Sequence, residues 1–399
     1  MQYIQSNKFT DNTLSIYTSM PFERSTITAT NLLIYMMKNK TETYDSKQKF
    51  ISALNLAYGM KLYFGLSSYG DDLMLSMRVQ YIRQDLVEDT NYMSRVVDLI
   101  DQALFHSVFD MNNFEEAKYL LKTKLQRMLD DPDSLAVYST FLNMDTDHKI
   151  SIPVQGFLED LDTISLEEIL DVYKTFRDLE KHVYFCGLMD PLMKSYLESI
   201  DVNRELISHH TLLQDTLYKE HIIQKDISQS SLCLVYETNI DIFSSSYYAL
   251  YLMNCILGQS PSSLLFNEVR EKKSLCYSVQ SSLIRFDGVL MIYCGTSKEN
   301  LEYALQVIDQ QIDRLCHMDY EDTLLEIAKK DCIDSLIAAS DQPFSLISQW
   351  FLDSLLHRSM TREDKIEAIQ AVTKEDIQRV SQQLRKVSCV IVEEKEYEI

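Results

Sequence analysis

A short segment in the second half of the chain combines two side chains that can bind and polarise a peptide carbonyl. This segment, residues 257–279, reads LGQSPSSLLFNEVREKKSLCYSV. Its apolar spacing predicts a helix that ends near Arg270, and Tyr277 follows at the start of a predicted strand. A guanidinium and a phenol are donors suited to a carbonyl or a developing oxyanion. From composition alone, a surface arginine and an ordinary strand tyrosine are the simpler interpretation.

Other catalytic and metal-binding patterns are missing from the sequence. It contains no G-x-S-x-G motif and no Walker loop, and its 8 glycines are few for a phosphate-cradling fold. No two of the 8 histidines stand three or four residues apart, the spacing that places two ligands on one helix face. We interpret the closest group, His209, His210 and His221, as part of a solvated linker.

A long internal repeat indicates that two similar units position the candidate residues. The matched pairs are Ala117 with Ala328 and Pro132 with Pro343, both at an offset of 211 residues. Each copy continues with a helix that Ser165 or Thr373 can cap, followed by a closing strand. Upstream, each copy runs through a helix, a strand, a turn and a second strand.

The repeat predicts the fold class and the domain boundaries. We expect an α+β protein with two homologous domains, each a largely antiparallel sheet with helices packed on one face. The first domain is expected at residues 1–205 and the second at 221–399. A linker is expected at residues 206–220, where the hydrophobic periodicity lapses.

Composition and charge exclude several classes of partner. The net charge of −22 disfavours nucleic acid, because an acidic surface repels phosphate groups. We find no cleavable signal and no apolar run of about 18 residues, so no membrane partner is expected. The 8 cysteines form no C-x-x-C pair and stand mostly in apolar patterns, as reduced core thiols do. These features predict a cytoplasmic protein.

The residues around Arg270 and Tyr277 resemble a known family. The pattern L-G-x(4)-S-x-L-F-x-x-V-R-E-K-x-x-L-x-Y-S-V is similar to the C-terminal half of the M16 metallopeptidases, which include pitrilysin, insulin-degrading enzyme and mitochondrial processing peptidase. The duplication resembles this family too, so the similarity extends over essentially the whole chain. In the family, the arginine and tyrosine bind substrate and face a zinc site across a chamber. The resemblance assigns that role to Arg270 and Tyr277.

The family's zinc motif, H-x-x-E-H, is degenerate in this chain. The corresponding segment is NLLIYMMKNK, which puts Asn31 and Tyr35 at the histidine positions and Ile34 at the position of the catalytic glutamate. The distant glutamate that completes the family's site corresponds to Lys124, within about one residue. None of these side chains is a suitable zinc ligand or general base, so we expect no metal and no cofactor on this chain.

The resemblance implies a bacterial, non-catalytic, substrate-binding subunit of a heterodimeric zinc metallopeptidase. A zinc-binding M16 sister subunit would supply H-x-x-E-H, the Zn²⁺ and the water, and this chain would present Arg270 and Tyr277 to a peptide substrate. The alternative is a catalytically dead peptide-binding or scaffold protein of the same fold. A neighbouring gene for a chain with an intact motif would favour the first hypothesis. A different enzymatic use of the fold finds no nucleophile or cofactor loop to support it.

Overall fold

The structure of the protein is a computed structural model that describes residues 1–144, 147–202 and 204–395. The strands are β1 (Gln2–Gln5), β2 (Asp11–Met20), β3 (Lys61–Tyr69), β4 (Asp72–Ile82), β5 (His182–Gly187), β6 (Lys219–Lys225), β7 (Ser230–Glu237), β8 (Cys276–Ile284), β9 (Val289–Thr296) and β10 (Arg385–Glu394). The helices are α1 (Ile27–Met36), α2 (Lys47–Leu56), α3 (Tyr92–Phe105), α4 (Met111–Asp130), α5 (Pro132–Leu142), α6 (Leu166–Asp178), α7 (Pro191–Ile200), α8 (Tyr247–Asn254), α9 (Leu301–Cys316), α10 (Asp322–Ala339), α11 (Pro343–Leu355), α12 (Arg362–Ala371) and α13 (Lys374–Ser381).

These elements form two compact units. Unit 1 comprises residues 1–126, 154–209 and 339–358, and unit 2 comprises residues 127–153, 210–338 and the chain from Ser359 onward. The two sheets have the same strand order, β1-β5-β2-β4-β3 in unit 1 and β6-β10-β7-β9-β8 in unit 2. In each sheet, the pairing at one edge is parallel, namely β1 with β5 and β6 with β10. The other three pairings are antiparallel. The predicted α+β class with two similar, largely antiparallel sheets is confirmed.

In unit 1, helices cover both faces of the sheet. Strand β2 is buried along nearly its whole length, which requires cover on each side because successive side chains point to opposite faces. On one face, Phe351 of α11 stacks on Tyr17, with the ring centroids 3.8 Å apart. The neighbouring Ile16 points to the other face and is 1% exposed.

Unit 2 repeats this arrangement. Leu232 and Leu234 of β7 belong to a core that also contains residues of α8, α9, α10 and α13. Between them in sequence, Cys233 points to the opposite face and packs against Ala136 of α5. Asp131 caps the N-terminus of α5, because its carboxylate accepts a hydrogen bond from the Ser134 N–H. One further helix therefore covers the second face, whereas the sequence analysis predicted helices on one face of each sheet.

The observed division of the chain differs from the predicted linear one. The units separate between His209 and His210, inside the predicted linker at residues 206–220. However, residues 127–153 belong with unit 2 and residues 339–358 with unit 1, so domains at 1–205 and 221–399 misplace α5 and α11. An amphipathic pattern shows that a helix face is buried, but it does not show which sheet buries it.

The helix starts predicted from the repeat are confirmed by their capping residues and first-turn prolines. Pro132 and Pro343 each stand in the first turn of their helix, where a missing N–H costs nothing. Helices α6 and α13 both begin with a complete capping box, formed by Ser165 with Glu168 and by Thr373 with Asp376.

The cysteine side chains carry free thiols that are mostly buried. All eight cysteines are free thiols, and Cys316 alone is not buried. Burial raises the pKa of Cys233 to about 12 and that of Cys389 to about 11, so both thiols stay protonated at neutral pH.

No helix within the described ranges is both long and apolar enough to cross a membrane.

A buried lysine in unit 1 gives the first testable prediction. Lys181 is 3% exposed, and its ammonium donates to the carbonyl oxygens of Phe176 and Leu179 at 2.5 and 2.6 Å, which satisfies the end of α6. Burial lowers its pKa from the usual 10.5 to about 8. Between these two values the unfolded chain binds more protons than the folded one, so this contribution to the free energy of unfolding increases with pH.

We expect this contribution to rise by about 2 kcal/mol between about pH 7.5 and about pH 10. The measurement is urea unfolding of the wild type and of Lys181→Met across that range. Because both proteins carry the same tyrosines and cysteines, the difference between their unfolding free energies isolates Lys181. Parallel pH profiles for the two proteins would contradict the prediction.

Candidate functional site

The four degenerate zinc-motif positions line one cavity in unit 1. Helix α1 carries Asn31, Ile34 and Tyr35 at the spacing that places side chains on one face of a helix. Lys124 reaches the same cavity from α4, and the edge strand β3 contributes residues 64–66. The cavity has a volume of about 360 Å³. The structure thus brings together all the positions that the resemblance assigned to the zinc site.

The residues at the two histidine positions have local roles of their own. Asn31 is 3% exposed, and its side-chain amide donates to the carbonyl oxygens of Ile27 at 2.9 Å and Val154 at 2.7 Å. This amide therefore holds the 154–155 segment against α1. Tyr35 is half-buried, and burial raises the pKa of its phenol, which keeps it protonated at neutral pH.

These side chains do not fit a zinc ion. Zinc sites use thiolate, imidazole and carboxylate ligands, whereas this cavity offers an amide, an alkyl group, a protonated phenol and an ammonium. The ammonium of Lys124 would also repel a dication. Across the described chain, no three His, Cys, Asp or Glu side chains group closely enough to hold a metal ion.

Arg270 lies in unit 2 on a segment of unusual helix geometry. Residues Phe266–Lys272 form a π-helical stretch, a form that occurs often at functional sites. Val269 anchors this stretch at 0% exposure, while the Arg270 side chain is 46% exposed. Its guanidinium lies 4.9 Å from the centre of the Phe266 ring and 4.0 Å from the Glu271 carboxylate.

Tyr277 is also presented by irregular backbone. The register of β8 against β9 shifts between Cys276 and Ser278, so Tyr277 occupies a bulge that turns its side chain outward. Just before the strand, Ser274 adopts a φ of 51°, a left-handed conformation that reverses the chain direction. Tyr277 is 68% exposed and has no hydrogen-bond partner within the described ranges.

The positive charge of Arg270 acts on Cys276, the first residue of β8. A hydrogen bond with Cys294 and, more weakly, the positive charge of Arg270 lower the pKa of Cys276, the residue next to Tyr277. The segment from Arg270 to Tyr277 therefore presents a guanidinium and a free phenol on one short, anchored stretch. Both groups can donate hydrogen bonds to a carbonyl or oxyanion supplied from outside the chain.

Three features of these sites were missed in the sequence analysis. Lys38 also lines the cavity from the turn that follows α1, and its i+7 spacing from Asn31 in a predicted helix would have suggested it. The π-helical stretch and the bulge left no recognisable signal in the sequence. Both depend on how the segment packs rather than on local propensity.

Comparisons with known proteins identify a family model and several relatives that this chain resembles. The family model described as peptidase M16 inactive domain matches residues 163–331. Among curated relatives, the probable inactive metalloprotease YmfF of Bacillus subtilis is 22% identical over 394 residues, covering 96% of this chain and 92% of the relative. The uncharacterized zinc protease YmxG of the same organism is 26% identical over 318 residues, covering 76% of this chain and 75% of the relative.

Solved structures match the fold of the entire chain. A conserved protein from Enterococcus faecalis superposes with a TM-score of 0.89 at 21% sequence identity, covering 100% of this chain and 96% of the other. The family model and the curated relatives confirm the resemblance inferred from the Arg270–Tyr277 segment. The family model and YmfF are both described as inactive, whereas YmxG is described as a zinc protease.

Proposed function

We propose that this chain, which belongs to the M16 metallopeptidase family through its inactive domain, is the non-catalytic, substrate-binding subunit of a heterodimeric zinc peptidase. The observation that carries the proposal is a contrast between two places in the chain. The positions that would hold zinc have unsuitable side chains, whereas Arg270 and Tyr277 remain exposed on an anchored, irregular segment.

In this proposal the sister subunit supplies the H-x-x-E-H motif, which would hold Zn²⁺ and so provide an activated water. Arg270 holds a carbonyl of the peptide substrate through its guanidinium fork. Tyr277 donates its phenolic hydrogen to the scissile carbonyl and stabilises the tetrahedral oxyanion. Tyr277 has no hydrogen-bond partner within the described ranges, and the Arg270 guanidinium has only a 4.0 Å ion pair with Glu271 and the Phe266 ring beside it.

Peptide binding has a second physical basis in the exposed sheet edges. Strand β3 is the last strand of its sheet, and β8 is the last strand of the other. An extended peptide can pair with such an edge through backbone hydrogen bonds, with side-chain pockets adding selectivity. Residues 64–66 of β3 border the unit 1 cavity, so a peptide paired there would run beside it.

A direct test combines this chain with a similar chain that carries an intact H-x-x-E-H, encoded by a neighbouring gene. We expect the two chains to co-purify and zinc to be bound by the sister chain. Oligopeptides should be cleaved only when both chains are present. Stoichiometric zinc and chelator-sensitive cleavage by this chain in isolation would refute the proposal.

A scaffold without cleavage is the second candidate function, and it is favoured by the inactive-domain match. The same experiment separates the two. A scaffold would bind its partner or peptides while the mixture shows no cleavage above that of the sister chain. The cytoplasmic location, the bacterial heterodimer and the role in peptide processing all remain part of the proposal.

A further inference from the structure

The unit 1 cavity has the electrostatics of an anion site. Two lysines line it, Lys38 from the end of the α1 region and Lys124 from α4, and no aspartate or glutamate of the described chain does. Its other polar groups include the phenol of Tyr35 and the side-chain amide of Gln155. The cavity therefore offers two positive charges and neutral hydrogen-bond donors, with no carboxylate to compete for them.

The lack of acidic partners is notable in this chain. It carries 60 acidic residues against 38 lysines and arginines, so a lysine placed at random readily finds a carboxylate. Lys40 pairs with Asp110 at 3.0 Å, and Lys122, on the same helix as Lys124, lies 3.8 Å from Asp162. Within the described ranges, Lys38 and Lys124 have no ion pair. Both are exposed, so their charges remain available to a ligand.

The walls of the cavity are fixed by contacts that do not involve the lysines. The Asn31 amide holds the 154–155 segment through its bond to the Val154 carbonyl, and the edge strand β3 forms another wall through residues 64–66. A volume of about 360 Å³ lies within the range of ligand sites in proteins. It is large enough for the end of a peptide.

We propose that this cavity binds a carboxylate of the peptide substrate between Lys38 and Lys124, in the place where zinc-bearing relatives hold their metal. The proposal rests on the proposed function, in that the ligand is a peptide running beside β3. A carboxylate is favoured over a phosphate, because the net charge of −22 repels a dianion more strongly than a monoanion. The carboxylate belongs to the peptide C-terminus or to an acidic side chain.

The test measures binding of short fluorescein-labelled peptides to the isolated chain by fluorescence anisotropy. One peptide ends in a free glutamate, a second has an amidated C-terminus, and a third has glutamine in place of glutamate. The peptide that loses affinity identifies which carboxylate is bound. We expect Lys38→Ala and Lys124→Ala each to weaken binding about fivefold, and the double variant about twentyfold, as loss of one or two solvent-exposed charge contacts implies.

The matched control is Lys122→Ala, which removes the same charge from α4 at a position outside the cavity. It should leave peptide affinity within about twofold of the wild type. Peptides that lack the bound carboxylate should bind all five proteins equally, and added salt should weaken only the carboxylate-dependent part. Because both cavity lysines are exposed, the variants are expected to fold, and unchanged melting temperatures verify this.

Three results would overturn the proposal. The first is equal binding of all three peptides by the wild type, and the second is an equal loss in Lys122→Ala. The third is competition by inorganic phosphate as effective as that by the free-glutamate peptide. These measurements need neither the sister chain nor cleavage. A failed reconstitution would therefore refute the proposed subunit role without altering this result, and loss of carboxylate selectivity would leave the subunit role standing.

Discussion

Replacing Tyr277 with phenylalanine is expected to lower kcat of the reconstituted peptidase by about 10²–10³-fold, because one donor to the oxyanion is lost. The ring, its exposure and the bulge that presents it are retained, so the substitution removes the hydroxyl and little else. The melting temperature should stay unchanged, since the hydroxyl has no partner within the described ranges. The measurement is steady-state cleavage of an oligopeptide by the complex with the sister subunit.

Arg270→Ala is expected to produce a loss of similar size but with a different kinetic signature. A guanidinium that holds a substrate carbonyl contributes to ground-state binding as well as to the transition state, so KM should rise while kcat falls. Tyr277→Phe should leave KM nearly unchanged. Lower activity through weaker association of the subunits is detected by repeating the assay at several concentrations of this chain.

Two substitutions in unit 2 serve as controls for this pair. Tyr303→Phe removes another exposed phenol, which accepts a hydrogen bond from Lys273 at 2.9 Å, and Arg362→Ala removes an exposed arginine on α12. Neither residue lies in the segment from Arg270 to Tyr277, so both variants should retain near wild-type turnover. If Arg270→Ala and Tyr277→Phe behaved like these controls, the roles assigned to the two residues would be wrong.

Phe351→Ala should destabilise the protein by about 3–5 kcal/mol, the cost of truncating a buried phenylalanine. Phe351 is 0% exposed and packs on three tyrosine rings of unit 1, stacked on Tyr17 and edge-on to Tyr69 and Tyr184. Its removal leaves a cavity on the sheet face that α11 covers. Urea unfolding gives the loss, and Gln349→Ala, two positions earlier in α11, should change stability by no more than about 0.5 kcal/mol.

This variant also tests the assignment of α11 to unit 1. Amide hydrogen exchange should accelerate in β2 and β5, the strands against which α11 packs. Acceleration confined to the strands of unit 2 would show that α11 stabilises the sheet nearest to it in sequence. Exchange unchanged in both sheets, with stability intact, would contradict the packing of Phe351 itself.

Much of the candidate site was accessible from the sequence because its residues lie close together along the chain. The regular helix period places Asn31, Ile34 and Tyr35 on one face whatever they pack against, and the seven-residue separation of Arg270 and Tyr277 spans one helix end and one strand start. Lys124 was assigned through the family resemblance, and the structure places it at the same cavity. The absence of zinc-ligating side chain types is a property of composition at these positions, which no packing can change.

The fold class was equally accessible from local patterns. The duplication appears in caps and prolines, since Ser165 and Thr373 fix helix starts through hydrogen bonds to residues only three positions away. Strand alternation and short turns then predict antiparallel hairpins. Interactions of this kind form within a few residues, so the sequence determines them almost alone.

Residue types and short-range patterns were enough to predict two similar α+β halves, a zinc motif without zinc ligands, and a retained arginine and tyrosine. The folded chain was needed to show that α5 belongs to unit 2 and α11 to unit 1, that Lys38 and Lys124 line one cavity, and that a π-helical stretch and a bulge expose Arg270 and Tyr277. The difference lies in the range of the interactions. Caps and helix faces depend on neighbours in the chain, whereas the choice of a partner sheet, the walls of a cavity and a shift in strand register depend on packing between segments far apart in sequence.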